Sequence, residues 1–376
     1  MNRELIESMP KLGFGLMRLP QINGEIDIPQ TCEMVDMFLD KGFKYFDTAY
    51  GYGDGASERA IKTALVDRHP RDSFYLATKL PAWAGAKTAE EARQMFYTSL
   101  ERTGAGYFDF YLLHNLGEQR THYFDDYGIW DFLAEKKKEG LIHHLGFSFH
   151  DKADALDEIL TAHPEMEFVQ LQINYIDWDS PAIESRKCLE VARKHGKPVI
   201  IMEPVKGGNL ASPPQQVVDL FEGVNPGASP SSWAVRFCAS LEGVLVVLSG
   251  MSNVEQMADN LSHMADFRPL NEQEQATIVR AREIIEGIAT VPCTSCEYCM
   301  KGCPQNIAIP GSFGSYNMYL RFNNLASAKG NYSWNTDGHQ KAKASACIEC
   351  GACEEVCPQH IKIREELKKV AEALEA

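Results

Sequence analysis

Two stretches near the end of this 376-residue chain repeat one arrangement of thiols: CTSCEYCMKGCP at 293–304 and CIECGACEEVCP at 347–358. Both read C-x2-C-x2-C-x3-C-P, and together they take eight of the chain's eleven cysteines. Four thiolates at that spacing suit a [4Fe–4S] cluster, whereas structural zinc sites generally draw on two cysteine pairs per metal. A second reactive set lies far upstream. FDTAYGYG offers Asp47 and Tyr52, ATKL offers Lys79, and YLLHN offers His114.

An acid, a phenol, an amine and an imidazole together suit the reduction of a carbonyl. A hydride arriving at the carbonyl carbon leaves negative charge on oxygen, which must then receive a proton. A free phenol, with a pKa of about 10, is a weak acid unless a cation stabilises its phenolate. Lys79 supplies that charge, Asp47 keeps Lys79 ionised and oriented, and His114 offers a hydrogen bond to the developing oxyanion. Taken singly, each has a plain structural explanation: a helix cap, a loop anchor, a satisfied rim histidine. Their order along three successive segments favours the chemical one.

The elements that must position these groups are legible as alternating short apolar and amphipathic segments. Strand-like pieces fall at 11–17, 44–49, 74–80, 108–115, 143–150, 168–175, 198–205 and 243–250, with helical patterns such as 32–42, 57–68 and 181–196 between them. Eight strand–helix units in roughly 250 residues have the size of a (β/α)8 barrel. A doubly wound open sheet has the same rhythm, but its first strand would run through a Gly-rich phosphate turn into a helix. Here GFGLMRLPQINGE leads into a polar, proline-marked loop, which favours the barrel. In a barrel, Asp47, Lys79 and His114 end successive strands at the face where catalytic groups gather.

Charge and composition narrow the partners. Residues 291–376 hold nine basic and nine acidic residues, so the whole net charge of −15 falls on 1–290. Such a surface repels polyphosphate backbones and argues against nucleic acid. No apolar run is long enough to span a membrane and the first residues lack a secretory pattern, so a cytoplasmic protein is expected. Cys32, Cys188 and Cys238 lie outside the two runs and read as small buried hydrophobes.

On FDTAYGYG, ATK and YLLHN, the stretch from about 10 to 290 resembles the aldo/keto reductase superfamily. That resemblance implies a (β/α)8 barrel binding NADPH, or in some members NADH, with Asp47, Tyr52, Lys79 and His114 as the catalytic tetrad. It also implies nicotinamide contacts at Ser148, His150 and Gln172, where His150 replaces the usual asparagine. Gln170, Gln172 and Asn174 share one strand face, so a polar layer inside the barrel is the equal alternative. Met17, Arg18 and Pro204 are further implied contacts near the ring. For the phosphates, the loops after strands seven and eight supply Lys206, Gly207, Gly208, Gly250, Ser252, Asn253, Gln256 and Asn260. Barrels often bind phosphate there, at a helix N-terminus. The sequence departs from the family in two places. A basic residue is missing from 249–260, and Met202-Glu203-Pro204 stands where an aromatic often stacks on nicotinamide.

Residues 291–363 resemble dicluster ferredoxin domains. In two-cluster ferredoxins the fourth cysteine of each run serves the other cluster. One cluster is then expected on Cys293, Cys296, Cys299 and Cys357, the other on Cys347, Cys350, Cys353 and Cys303. The expected division is a barrel at 1–270, a joining helix at 271–290, and a small α+β two-cluster domain at 291–376. The aromatic-rich insertion at 305–346, with Tyr316, Tyr319, Phe322, Tyr332 and Trp334, is expected to pack on the barrel. The loop at 116–128, with His122, Tyr123, Phe124 and Tyr127, hints at an aromatic-walled pocket.

The leading functional expectation is NAD(P)H-dependent reduction of a small carbonyl, or oxidation of the matching alcohol, with a tail that is structural or docks a redox partner protein. One alternative is a ferredoxin-coupled or flavin-mediated oxidoreductase. Nicotinamide gives two electrons and a cluster takes one, and flavin bridges such steps. A barrel phosphate site has room for FMN, although nothing in the sequence marks it. The other alternative is a nicotinamide-binding redox sensor, against which the complete quartet argues.

Overall fold

The computed structural model describes Met1 and residues 3–376. Its strands are β1 (Leu12–Gly15), β2 (Gln21–Ile22), β3 (Glu25–Ile26), β4 (Tyr45–Asp47), β5 (Tyr75–Leu80), β6 (Phe108–Leu116), β7 (Ile142–Phe149), β8 (Val169–Gln172), β9 (Val199–Met202) and β10 (Val244–Ser249). Eight of them close a parallel barrel in the order β1-β4-β5-β6-β7-β8-β9-β10, with β10 pairing back to β1. The other two, β2 and β3, form an antiparallel hairpin in the loop after β1. Strands of two residues are too short for alternation to reveal them.

Side chains alternate in and out along each strand. Tyr45, Phe110, Phe168, Ile200 and Val246 fill the barrel interior together with Met9. Outward-facing Phe46, Leu76, Tyr111 and Val247 pack in the larger core beneath the helices. Those helices begin where expected from capping chemistry: Asp27 accepts from the amide of Gln30 ahead of Ile28–Asp40, and Thr88 accepts from Glu91 ahead of Ala89–Thr103. At Gly146 on β7 no side chain fits, because a Cβ would come 2.4 Å from the carbonyl oxygen of Phe168. Towards the C-terminal ends of the strands the inward positions turn polar, with Asp47, Lys79, Ser148 and Gln170 all buried.

The chain forms two compact units, residues 1–205 with 231–275 and residues 206–230 with 276–376. The second is helical after its cysteine runs begin, and its β component is one parallel bridge between Ile307 and Ala342. Helices Ile309–Phe322, Leu325–Asn335 and Ile363–Leu374 enclose a core of its own around Phe313, Tyr332, Leu367 and Val370. Tyr316 and Tyr319 pack against this core, and the Tyr332 hydroxyl donates to Glu375 at 2.6 Å. Tyr316, Tyr319 and Tyr332 of the aromatic insertion thus contribute to the small unit's own interior, while Trp334 is exposed. The ring-rich loop after β6 is anchored through its aromatic side chains. Phe124 is fully buried in the barrel's outer core, and Tyr127 donates to the carbonyl of Ala86 at 3.0 Å, so these side chains pin the loop down. No helix among the described residues is long and apolar enough to cross a membrane.

Candidate active site

At the C-terminal mouth of the barrel, β4 ends on Asp47, whose register partner on the parallel strand β5 is Ala77, two residues before Lys79. The Lys79 side chain is wholly buried, and its Nζ donates to Asp47 Oδ1 at 2.5 Å, to the Thr48 carbonyl at 2.8 Å and to the Tyr52 hydroxyl at 3.2 Å. Asp47 Oδ2 accepts from Gln170 Nε2 at 3.0 Å, which locks the carboxylate from the opposite wall. Burial works against the charge on Lys79, but Asp47 and Tyr52 together hold its pKa above the ordinary lysine value. The amine therefore stays an ammonium. Burial also pushes the Tyr52 phenol up. Lys79 pulls it back down, while the charges of Asp47 and Glu203 push the other way.

The loop that presents Tyr52 is held by its own turn and from below. Tyr52 N–H donates to the Ala49 carbonyl at 3.1 Å, and Gly53 and Gly55 take positive φ on the way to helix Ala56–Ile61. Arg102 donates to the Tyr50 carbonyl at 2.9 Å and to the fully buried Glu58 at 3.2 Å. Glu58 in turn accepts from Thr78 on β5 at 2.8 Å.

His114 sits near the end of β6 with its ring centroid 6.1 Å from that of Tyr52. Burial, reinforced by Lys79, His150 and Arg120, drives its pKa well below the ordinary histidine value, so the ring is neutral. Its Nδ1 is buried without a protein partner. A neutral imidazole with an unmet ring nitrogen beside a phenol is an arrangement suited to meeting a substrate oxygen.

Further round the mouth, Ser148 Oγ accepts the amide of Asn115 at 2.8 Å. Gln172 donates to Asp177 at 3.2 Å and also hydrogen-bonds His150, whose pKa is pushed down to about 4, chiefly by burial. Arg18 pairs with Glu203 at 3.6 Å, and Met17 is exposed. After β10, Asn253 caps helix Val254–Met264 by accepting from Gln256, and the Gln256 side chain accepts from the amide of Ser252 at 2.8 Å. Asn260 donates to the Gln256 carbonyl at 2.9 Å. Gly250 lies against Gly15, with room for a close backbone approach. Pro204 is buried after β9. Lys206 and Gly207 belong to the second compact unit, where Gly207 and Gly208 both take positive φ.

Two cavities open beside these groups. One of about 410 Å³ lies between the β2–β3 hairpin and helix Ala56–Ile61, lined by Met17, Leu19, Ile26, Tyr52 and Arg59. The other, about 200 Å³, is lined by His150, Leu171, Gln172 and Cys188. Cys188 is a buried thiol pushed up to about 12 by burial, which matches an inert apolar role.

The second unit holds two small cavities of another kind. One is lined by Cys293, Cys296, Cys299 and Cys357, and the other by Cys303, Cys347, Cys350 and Cys353. The fourth cysteine of each run crosses to the other cavity. Apolar side chains complete both walls, Phe313 and Ile361 in the first and Ile307 and Leu367 in the second. Among the described residues no three ligating side chains converge tightly enough for a single ion.

Sequence reasoning did not single out Gln170 as the partner of Asp47, nor Arg102, Glu58, Asp177 and the charge of Glu203 near Tyr52. Gln170 carried a signal, being two residues before Gln172 on one strand face. Arg102 carried none, lying in an unremarkable amphipathic helix.

Comparison with known proteins agrees with this fold. A model of the aldo/keto reductase family matches residues 11–283, and a 4Fe-4S dicluster domain model matches 292–361. The chain belongs to the aldo/keto reductase family and carries a C-terminal 4Fe-4S dicluster domain; it is an oxidoreductase. An aldo-keto reductase of Mycolicibacterium vanbaalenii is 29% identical over 272 residues, 72% of this chain and 87% of the relative. An aldo-keto reductase of Klebsiella pneumoniae, solved with NADPH, superposes with a TM-score of 0.59 at 21% identity, covering 72% of this chain and 90% of that one. The holo form of an aldo-keto reductase from Bacillus halodurans gives 0.58 at 22% identity, covering 72% and 91%.

Proposed function

We propose that this chain reduces a small carbonyl compound with NADPH or NADH, and that its C-terminal unit binds two [4Fe–4S] clusters. The observation that carries the first part is one ammonium shared by two oxygens: Lys79 Nζ lies 2.5 Å from Asp47 and 3.2 Å from the Tyr52 hydroxyl. A bound nicotinamide supplies the hydride. Tyr52 then donates its proton to the carbonyl oxygen, and Lys79 stabilises the phenolate that remains. Asp47, held by Gln170, keeps Lys79 charged and aimed. His114, neutral and with an unmet nitrogen, orients the carbonyl and shares the oxyanion charge.

The residues around the mouth fit a dinucleotide. Ser148, His150 and Gln172 offer polar groups to the carboxamide, with Met17, Arg18 and Pro204 beside the ring. Gly250, Ser252, Gln256 and Asn260 frame a helix N-terminus for the phosphates. The NADPH held by the Klebsiella pneumoniae relative supports this reading.

In the second unit, the four cysteines lining each cavity are the ligand sets. Burial raises Cys299 to about 12 and Cys353 to about 11. Crowded thiolates are thus unfavourable until a positively charged centre shares them. Such clusters suit a reducing cytoplasm and a one-electron redox partner protein. The deciding experiment is Tyr52→Phe: carbonyl reduction should be lost while iron and acid-labile sulfide stay at wild-type levels. Turnover retained in that variant would sink the catalytic assignment.

A further inference from the structure

The two cysteine runs share one backbone and differ in their side chains. Ser295 and Glu297 in the first run take positive φ of 55° and 62°, and their counterparts Glu349 and Gly351 in the second take 57° and 83°. After each run the pattern recurs, at Asn306 with φ 53° and at His360 with φ 51°. Local amides are therefore disposed alike in both halves, and a difference between the two cavities must come from side chains.

That difference is one of charge. Among the described residues, the one charged side chain lining the cavity of Cys293, Cys296, Cys299 and Cys357 is Glu297. The one lining the cavity of Cys303, Cys347, Cys350 and Cys353 is Arg364, again among the described residues. Where the first run has Glu297, the second has Gly351. With no side chain there, Arg364 lies over the turn, its Cζ 3.9 Å from the point a Cβ would occupy. The guanidinium is fixed by Glu354, which accepts from Nη2 at 2.9 Å and from the Arg364 amide at 2.8 Å, and by the Glu349 carbonyl at 3.4 Å from Nη1. Among its donors, Nε is buried and has no protein acceptor.

We propose that Arg364 makes the site of Cys303, Cys347, Cys350 and Cys353 the higher-potential of the two iron–sulfur sites, with Glu297 lowering the other. This rests on both cavities being [4Fe–4S] sites. Each site takes one electron, from [4Fe–4S]2+ to [4Fe–4S]+, with no bond made or broken. The donor is a one-electron carrier protein, or dithionite in the test. The added negative charge is favoured by a neighbouring cation and a free N–H, and opposed by a neighbouring carboxylate. Electrons entering this unit settle on the Arg364 side.

The test is an anaerobic, EPR-monitored dithionite titration of the full-length chain with its native iron, comparing wild type with Arg364→Gln and Glu297→Gln. Wild type should show two resolved one-electron steps. Arg364→Gln should move the higher step to lower potential and leave the other in place, and Glu297→Gln should raise the lower step. Each change narrows the gap. Should Arg364→Gln lose iron, Glu297→Gln at its exposed position still decides. A gap unchanged in the iron-replete variants overturns the assignment to these side chains. Wild type without two clusters' worth of iron overturns the underlying reading of the cavities instead.

Discussion

Lys79 and Tyr52 meet at 3.2 Å although 27 residues separate them in the chain. One ammonium buried in the barrel mouth thereby serves both a carboxylate that holds it and a phenol that it acidifies.

Removing that ammonium should cost both function and stability. Lys79→Met leaves Asp47 buried beside Gln170 alone, and breaking a buried pair in this way costs about 3–5 kcal/mol. Carbonyl reduction should fall by roughly 10²–10⁴-fold, the usual contribution of a positioned acid–base system. Steady-state kinetics and denaturant unfolding of the purified variant check the two effects separately.

His150 gives the barrel a specific acid sensitivity. Its folded-state pKa is about 4, below the ordinary 6.5 because of burial. The unfolded chain thus binds the extra proton first as pH falls. The stability associated with a neutral His150 is present above about pH 6.5 and is lost between there and pH 4, up to about 3 kcal/mol. His114, shifted the same way, adds to the trend. His150→Asn should flatten the dependence of Tm on pH between 4 and 7. A slope equal to wild type would contradict the burial argument.

Arg102 positions the catalytic loop without touching the reacting atoms. In Arg102→Leu, Glu58 keeps only the Thr78 hydroxyl and the Tyr50 carbonyl loses its donor. We expect a loss of about 3 kcal/mol and a fall in kcat larger than any change in KM. A structural role alone would lower Tm and leave the kcat of the folded fraction intact.

Gly146→Ala tests the barrel wall. The new methyl would meet the Phe168 carbonyl oxygen at 2.4 Å, so β7 and β8 must part. The expected cost is about 1–3 kcal/mol, read by denaturant unfolding.

The proposed crossed ligation in the C-terminal unit has a spectroscopic consequence. Cys293→Ser and Cys357→Ser should spare the same cluster and leave the same residual EPR spectrum. Cys303→Ser should instead pair with Cys347→Ser. If Cys303→Ser matched Cys293→Ser, each run would hold its own cluster.

Much of this was readable from residue order. The eight barrel strands coincide with the apolar segments because a buried parallel sheet needs continuous hydrophobic runs, and Asp47, Lys79 and His114 stand at their ends. The cysteine spacing was legible because each C-x2-C-x2-C-x3-C-P run falls within a dozen residues of chain. The β2–β3 hairpin was not, since two-residue strands leave no periodic trace.

Other features were decided only when the sheet closed. Gln170 reaches Asp47 across 123 residues of chain, and Arg18 meets Glu203 across 185. Local pattern determines which segments become strands and which face each side chain takes. Barrel closure and register determine which polar ends face one another, and burial there sets their charge. No local stretch encodes such meetings, because they depend on how distant strands pair.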